Sequence, residues 1–117
     1  GGAKAAETES IGDIAFAGQV IQGLNPKELR GLVDQAKKKL SSGISALVAV
    51  NDGRATVAVG VTDDLTDRFS AVELVQAGVA AVGGKGGGGR PDMAQGGGPD
   101  GAKADEAIAA IRSVLAG

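Results

Sequence analysis

Several residue types that commonly carry protein chemistry are missing from this chain of 117 residues. It contains no cysteine, histidine, tryptophan or tyrosine, and its aromatic side chains are limited to Phe16 and Phe69. The lack of cysteine and histidine excludes disulfides, thiol nucleophiles, Cys/His zinc sites and a histidine general base. The shortage of aromatic rings argues against a protein that binds single-stranded nucleic acid by stacking bases on them.

Net charge and hydropathy set further limits on the class of protein. The formal net charge is −2, so nucleic-acid binding would have to depend on a local basic surface rather than on overall charge. No apolar run approaches the roughly 18 residues of a transmembrane helix, and no secretory signal pattern is present. We therefore expect a soluble cytoplasmic protein without membrane attachment. It should form a single globular domain at residues 11–117, preceded by a flexible lead-in at residues 1–10.

Glycine, by contrast, is abundant and concentrated in one place. Of the chain's 21 glycines, nine lie within residues 83–98, the glycine-rich segment, which also contains Lys85, Arg90 and Gln95. Glycine permits positive φ and close approach to the main chain, and its exposed N–H groups can form concave anion-binding sites. The segment therefore indicates a phosphate-contacting loop, and a flexible linker is the alternative. It is neither a dinucleotide fingerprint, which must follow a strand, nor a P-loop, which requires Gly-Lys-Ser/Thr.

One local pattern is that of a β-hairpin. Residues 44–50 form a continuous apolar run typical of a strand covered on both faces, and residues 54–61 form the return strand. Asp52-Gly53 between them favours a type I′ turn, in which both central residues have positive φ. The return strand carries only small residues on one face, Gly60 among them, which predicts that a helix packs closely against that face.

Apolar residues spaced three or four apart predict three helices. The first is capped by Asn25 and carries the stripe Leu29, Val33, Ala36 and Leu40; the second begins near Ser70; the third covers residues 102–116 with Asp100 as its cap. With a strand at residues 13–22, the order is βαββα, glycine loop, α. Met93–Gln95 is a candidate for a short additional strand at the sheet edge. The predicted class is α+β, a mixed sheet with helices packed on it.

Two groups of charged residues have structural and functional interpretations. Lys37, Lys38 and Lys39 lie in the last turn of the first helix, where cations complement the helix dipole. The structural interpretation is a solvated helix end, and the functional alternative is part of a basic surface. The carboxylates within residues 62–67 are interpreted as turn and cap formers rather than as a cation site.

The glycine-rich segment also carries a family resemblance. Residues 83–97 read Gly-Gly-Lys-Gly-Gly-Gly-Gly-Arg-Pro-Asp-Met-Ala-Gln-Gly-Gly. In this run the chain most specifically resembles the C-terminal, DHHA1-type domain of bacterial alanyl-tRNA synthetases. Ser70-Ala71 with the helical stretch that follows, and the strand ending at residues 57–61, are similar to the same family. The resemblance covers about residues 11–116. The chain departs from the family pattern by one additional glycine and by Gly96, where alanine is common.

The resemblance implies a tRNA-binding accessory domain without catalysis of its own. In the family, the full enzyme attaches alanine to tRNA with ATP and removes mischarged serine or glycine. The C-terminal domain contacts tRNA near its elbow and links the two activities. ATP, magnesium and zinc would then be needed only in parts of the parent enzyme outside this chain. In the family a helical segment upstream of this domain helps dimerisation. Only its lead-in is present here, so the resemblance gives a homodimer of this chain only weak support.

A domain that recognises folded RNA through phosphates and 2′-hydroxyls needs no aromatic platform. The candidate RNA-binding residues are Lys85, Gly86, Gly87, Gly88, Gly89, Arg90 and Gln95, with Lys37, Lys38 and Lys39 as a second basic face. We expect the glycine-rich segment to be among the most mobile regions when RNA is absent.

Two alternatives to the tRNA-binding role stay open. The first is the substrate-binding domain of a DHH-type phosphoesterase or exonuclease, in which the glycine loop tends to be followed by histidine. This chain has Arg90-Pro91 there and no histidine. The second is a structural or dimerisation module in which the glycines only permit tight packing.

Overall fold

A mixed β-sheet organises the protein, for which a computed structural model describes residues 7–117. The strands are β1 (Glu7–Ile11), β2 (Ile14–Gln22), β3 (Ile44–Asn51), β4 (Arg54–Val61), β5 (Gly88–Arg90) and β6 (Met93–Gly98). The helices are α1 (Pro26–Leu40), α2 (Ala71–Ala81) and α3 (Ala104–Ala116), with short 3-10 turns at Asp63–Leu65 and Gly101–Lys103. The strand order is β1-β2-β3-β4-β6-β5, with β2 and β3 parallel and every other neighbouring pair antiparallel. The predicted α+β class with a mixed sheet is confirmed.

The hairpin predicted for the middle of the chain is confirmed in strands and turn. β3 and β4 pair from Ile44 opposite Val61 to Asn51 opposite Arg54. Asp52 and Gly53 have φ values of 51° and 78°, as a type I′ turn requires. The local sequence therefore sets the register at the centre of the sheet.

The helices cover the two faces of the sheet unequally. On one face, α2 and α3 pack on alternate residues of β3 and β4, around buried Val75, Val79 and Ile111. On the other face, α1 alone packs through Leu29 and Val33. A Cβ on Gly60 would lie 2.6 Å from the Val33 Cγ1 and from the Lys37 Cδ, so the predicted close approach of a helix to β4 is confirmed.

Of the three residues expected to mark the helix starts, two cap their helices in the structure. The Asn25 side chain accepts a hydrogen bond from the Lys27 amide at 3.0 Å, and the Ser70 hydroxyl accepts one from the Val72 amide at 3.3 Å. The prediction that Asp100 caps the third helix is wrong, because a 3-10 turn intervenes and the Asp100 side chain makes no capping bond. The Gly101 amide bonds the Gly53 carbonyl at 2.7 Å, which holds the chain at the β3–β4 turn before the helix begins.

Two outer strands differ from the sequence-based expectation. Residues 7–10, which we assigned from the sequence to the flexible lead-in at residues 1–10, form most of β1; residues 1–6 lie outside the described residues. The side chains of Thr8, Glu9 and Ser10 are exposed and show no apolar alternation. This edge strand is held by backbone pairing with β2 and by the ion pair of Glu9 with Arg112 of α3. The strand expected at Met93–Gln95 is longer, and β5 lies outside it at the edge. Within the described part of the chain, no helix is long and apolar enough to cross a membrane.

Candidate functional site

The glycine-rich segment leaves the end of α2 and becomes the last hairpin of the sheet. β6 pairs with β4 from Met93 opposite Gly60 to Gly98 opposite Ala55. β5 pairs in turn with β6, and Gly88 lies opposite Gln95. Residues 88–98 therefore belong to the sheet, which excludes a flexible linker for that part of the segment.

Packing within the chain accounts for several of these glycines. A Cβ on Gly84 would lie 2.2 Å from the Gly97 carbonyl oxygen, and one on Gly98 would lie 2.4 Å from the Val82 carbonyl oxygen. Both distances are too short for any real side chain, so the backbones approach more closely than alanine would allow. Within the segment, all of which is described, only Gly86 and Gly88 would place a Cβ with nothing within 4 Å.

The β5–β6 turn is tied to three other elements of the fold. The Ala71 amide at the start of α2 donates to the Pro91 carbonyl at 2.8 Å. The Asp92 carbonyl accepts from the Val61 amide at 3.0 Å and from the Lys37 Nζ at 3.2 Å. Because α1, α2 and β4 all hold this turn, the backbone next to Arg90 is fixed by rigid elements.

The Asp92 carboxylate connects the two predicted groups of cations. Its Oδ2 lies 3.7 Å from the Lys37 Nζ, and its Oδ1 lies 3.7 Å from the Arg90 Nε. The Lys37 side chain is only 14% exposed, whereas that of Arg90 is 71% exposed. Lys37 therefore holds the turn, and Arg90 extends into solvent beside it.

A cleft of about 180 Å³ lies between α1 and the edge hairpin. We call it the Arg30–Arg90 cleft, and its lining residues are Arg30, Gly88, Gly89, Arg90, Met93, Ala94 and Gln95. The structure thus brings together four of the predicted RNA-binding residues. Sequence reasoning missed Arg30 as a site residue because it lies on α1, far from the hairpin in the chain. The one available signal was the net positive charge of the α1 segment.

Lys85 and Gly86 lie apart from this cleft, in the stretch between α2 and β5. The flanking glycines contact α2: a Cβ on Gly84 would lie 2.7 Å from the Val79 Cγ1, and one on Gly87 would lie 3.3 Å from the Val75 Cγ1. This stretch therefore runs along the α2 side of the sheet, opposite α1. Lys85 is exposed and forms no ion pair within residues 7–117.

The three consecutive lysines of α1 do not share one surface. Lys37 faces Asp92, Lys38 is exposed and lies 3.5 Å from the Asp34 Oδ2, and Lys39 lines a separate groove beside β1 and β2. Consecutive helical residues point about 100° apart, because the helix has 3.6 residues per turn. The second basic face is therefore divided, and Lys37 is its member next to the glycine-rich hairpin.

The polar turn after β4 ties loops together, as the sequence interpretation expects. Asp64 accepts hydrogen bonds from the Ser42 hydroxyl and, at 2.6 Å, from the Thr62 hydroxyl. These bonds, of which the Ser42 bond has the larger effect, hold the pKa of Asp64 below its ordinary value.

A second carboxylate, that of Asp13, is paired with an arginine. The Arg68 guanidinium donates to both Asp13 carboxylate oxygens, at 3.0 and 3.1 Å, and lowers the pKa of that carboxyl. Neither carboxylate lines the Arg30–Arg90 cleft.

Comparison with known proteins points to one family. The family model of the DHHA1 domain matches residues 13–117 of this chain. The alanine–tRNA ligase of Rhizorhabdus wittichii is 66% identical over 114 residues, 97% of this chain and 13% of that protein. The alanine–tRNA ligase of Sphingopyxis alaskensis is 62% identical over 116 residues, 99% of this chain and 13% of that protein. The chain thus spans about 13% of the length of these curated relatives.

Solved structures show the same likeness in three dimensions. The crystal structure of the C-Ala domain from Aquifex aeolicus alanyl-tRNA synthetase matches with a TM-score of 0.88 at 29% identity, covering 95% of this chain and 99% of that chain. RecJ from Thermus thermophilus matches with a TM-score of 0.59 at 19% identity, covering 85% of this chain and 14% of that chain. The second likeness shows the fold alone.

Proposed function

Because this chain belongs to the DHHA1 domain family, we propose that it is the tRNA-binding accessory domain of an alanine–tRNA ligase. Its similarity to two such ligases over nearly its whole length supports this proposal. The structural observation that carries it is the edge hairpin, which holds the exposed Arg90 beside a cleft with no acidic residue among the described residues that line it.

The chemistry of this hairpin suits the sugar–phosphate surface of a folded RNA. Arginine presents a planar fork of donors that matches phosphate oxygens. An edge strand adds backbone N–H groups that have no partner in the sheet. Recognition of RNA shape through phosphates and 2′-hydroxyls uses these groups and needs no aromatic stacking. Since the chain as a whole carries a charge of −2, binding should be local and strongly dependent on salt.

In this proposal the domain contacts the tRNA near its elbow and links aminoacylation with editing, while the catalysis takes place elsewhere. ATP, magnesium and zinc would act in other parts of the parent enzyme, which we place in the cytoplasm. The proposed RNA contacts lie on both sides of the sheet. They are Lys85, Gly86 and Gly87 on the α2 side and the Arg30–Arg90 cleft on the α1 side. Lys38 and Lys39 remain weaker candidates. A homodimer of the chain is a separate hypothesis that sedimentation velocity would test.

The direct test is tRNA binding across a salt series. Wild type and a Lys85→Ala/Arg90→Ala variant would be titrated with tRNA for alanine and with an unrelated tRNA. We expect weaker binding by the variant and a salt slope reduced by roughly 0.7–0.9 for each lost phosphate contact. Equal wild-type affinity for both tRNAs would mean that the domain reads shape and leaves identity to other parts of the enzyme.

A matched control removes the same charge at the opposite end of β4. Arg54 is exposed at the start of β4, and Lys103 is exposed in the 3-10 turn that is hydrogen-bonded to Gly53 through Gly101. Arg54→Ala/Lys103→Ala should therefore bind tRNA as the wild type does. Binding by the Lys85/Arg90 variant that equals the wild type would overturn the site assignment. A wild type that binds no tRNA even at low salt would favour the packing-module alternative.

A further inference from the structure

We infer that the Arg30–Arg90 cleft is a phosphate-binding site in which both arginines, together with the free edge of β5, hold one backbone phosphate. This inference rests on the proposed tRNA-binding function and identifies the part of the surface that binds the sugar–phosphate backbone of the RNA. It adds Arg30, a residue of α1, to a site otherwise formed by the glycine-rich hairpin.

The charge around the cleft is the first reason. Arg30 forms no ion pair within residues 7–117, and Asp34, one turn further along α1, is paired with Lys38 at 3.5 Å. Arg90 has a carboxylate partner only at 3.7 Å, and that carboxylate is shared with Lys37. Two arginines thus line one cleft without a full counter-charge. An anion that enters between them removes their mutual repulsion and gains two attractive interactions.

The shape and donors of the cleft are the second reason. A water molecule occupies about 30 Å³ in the liquid, so a cleft of about 180 Å³ has room for a phosphate group and some of its waters. Gln95, Gly88 and Gly89 also line it, together with Met93 and Ala94. The lining therefore contains two arginines, an amide residue and glycine backbone, which are groups that phosphate contacts use.

Gly88 supplies an independent argument. Gly84, Gly89 and Gly98 are required by close contacts within the chain, whereas a Cβ on Gly88 would meet nothing within 4 Å. The backbone of Gly88 also lies outside the positive-φ region that favours glycine. Neither packing nor conformation calls for glycine here, yet the residue lies in the wall of the cleft. A bare backbone at this point leaves room for a ligand.

The test uses two variants of the complete chain that act on the cleft in different ways. Arg30→Gln removes a cation, and Gly88→Val places a side chain in the wall at a strand position where valine fits well. Both should keep the unfolding midpoint of the wild type in urea. We expect tRNA binding about tenfold weaker in each, with the salt slope reduced by roughly 0.7–0.9 only in Arg30→Gln. Lys103→Gln is the control for loss of one exposed cation.

A second readout does not depend on RNA. Pyrophosphate would be titrated into the ¹⁵N-labelled chain while the arginine Nε–H signals are followed by NMR. We expect the Arg30 and Arg90 signals to shift together in the wild type, and the Arg90 shift to be strongly reduced in Arg30→Gln. The Arg68 and Arg112 signals should stay unchanged, since these side chains already pair with Asp13 and Glu9.

The outcomes separate this inference from the function on which it rests. If the wild type binds tRNA but Arg30→Gln and Gly88→Val bind equally well, the cleft assignment is overturned and tRNA binding stands. If the wild type binds no tRNA but pyrophosphate shifts both arginine signals, the anion cleft stands and the proposed function falls. If pyrophosphate shifts neither signal, the cleft is not a phosphate site.

Discussion

The sheet contains two neighbouring hairpins that are built in opposite ways. The β3–β4 hairpin is rich in valine, its side chains fill the core on both faces, and a two-residue turn joins its strands. In the β5–β6 hairpin, five of the eleven residues 88–98 are glycine. Parts of this hairpin are held by close backbone contacts and by the hydrogen bonds of its turn to α1, α2 and β4. The first hairpin uses side chains for stability, whereas the second leaves much of its outer surface as bare backbone with an exposed arginine.

This difference teaches that glycine can order a strand as well as loosen it. The end of α2, the stretch that follows it and β6 approach one another more closely than residues with a Cβ would permit. The glycines that allow this approach are Gly84, Gly96 and Gly98. The same lack of side chains leaves β5 accessible at the sheet edge. In the functional proposal, the hairpin that adds little apolar packing is the one that meets the RNA.

The largest expected effect comes from adding one methyl group where the backbones touch. Gly84→Ala would place its Cβ 2.2 Å from the Gly97 carbonyl oxygen and 2.7 Å from the Val79 Cγ1. We expect a loss of about 3 kcal/mol in the free energy of unfolding, measured by urea denaturation, because the backbone must move. Gly88→Ala is the matched control and should change stability by less than about 0.5 kcal/mol. Equal losses in the two variants would refute the packing account of this hairpin.

A smaller effect is expected in the valine-rich hairpin. Gly53 has φ of 78°, but a Cβ there would meet nothing within 4 Å. Gly53→Ala should therefore cost about 1 kcal/mol, from the left-handed conformation alone. Gly53→Asn should recover part of that loss, since asparagine tolerates this region of φ and ψ. A loss in Gly53→Ala as large as that in Gly84→Ala would contradict the distinction between backbone strain at Gly53 and close backbone contact at Gly84.

These two predictions show what the sequence could and could not reveal. The Asp52-Gly53 turn and the Asn25 cap were predictable because both depend on residues adjacent in the chain. β1 was missed because an exposed edge strand has no apolar pattern. Three features depend on packing between distant segments, which neither periodicity nor composition encodes. They are strand β5, the position of Arg30 beside the hairpin, and the hydrogen bond and ion pair between Lys37 and Asp92. The family resemblance pointed to Arg90 and Gln95, but not to the arginine of α1 beside them.

The tie between α1 and the glycine hairpin gives a third prediction. Lys37→Met keeps the side-chain stem that covers Gly60 but removes the hydrogen bond and ion pair to Asp92. We expect about 1 kcal/mol lower stability in urea, with the salt slope of tRNA binding unchanged. Arg90→Gln should show the reverse, an unchanged urea midpoint and a flatter salt slope. A flatter slope in Lys37→Met would mean that Lys37 contacts RNA directly.

The smallest expected effect concerns acid, at the turn that follows the valine hairpin. Because hydrogen bonds from Ser42 and Thr62 lower the pKa of Asp64 in the folded protein, its ionised form stabilises the fold at neutral pH. That contribution is lost as the pH falls below about 4, the ordinary range of aspartate. Asp64→Asn should therefore lose less stability than the wild type between neutral and acidic pH. Parallel pH curves for wild type and Asp64→Asn would contradict this role.

Amide hydrogen exchange with and without tRNA tests the central claim most directly, that the glycine hairpin is both ordered by backbone packing and the contact for RNA. In the free protein, we expect β6 amides to be protected like those of β4, and rapid exchange to be confined to the stretch around Lys85–Gly87. On adding tRNA, amides of β5 and Arg90 should gain protection while the β3–β4 turn stays unchanged. Rapid exchange throughout β6 in the free protein, or protection by tRNA at the β3–β4 turn instead of at β5, would contradict the account.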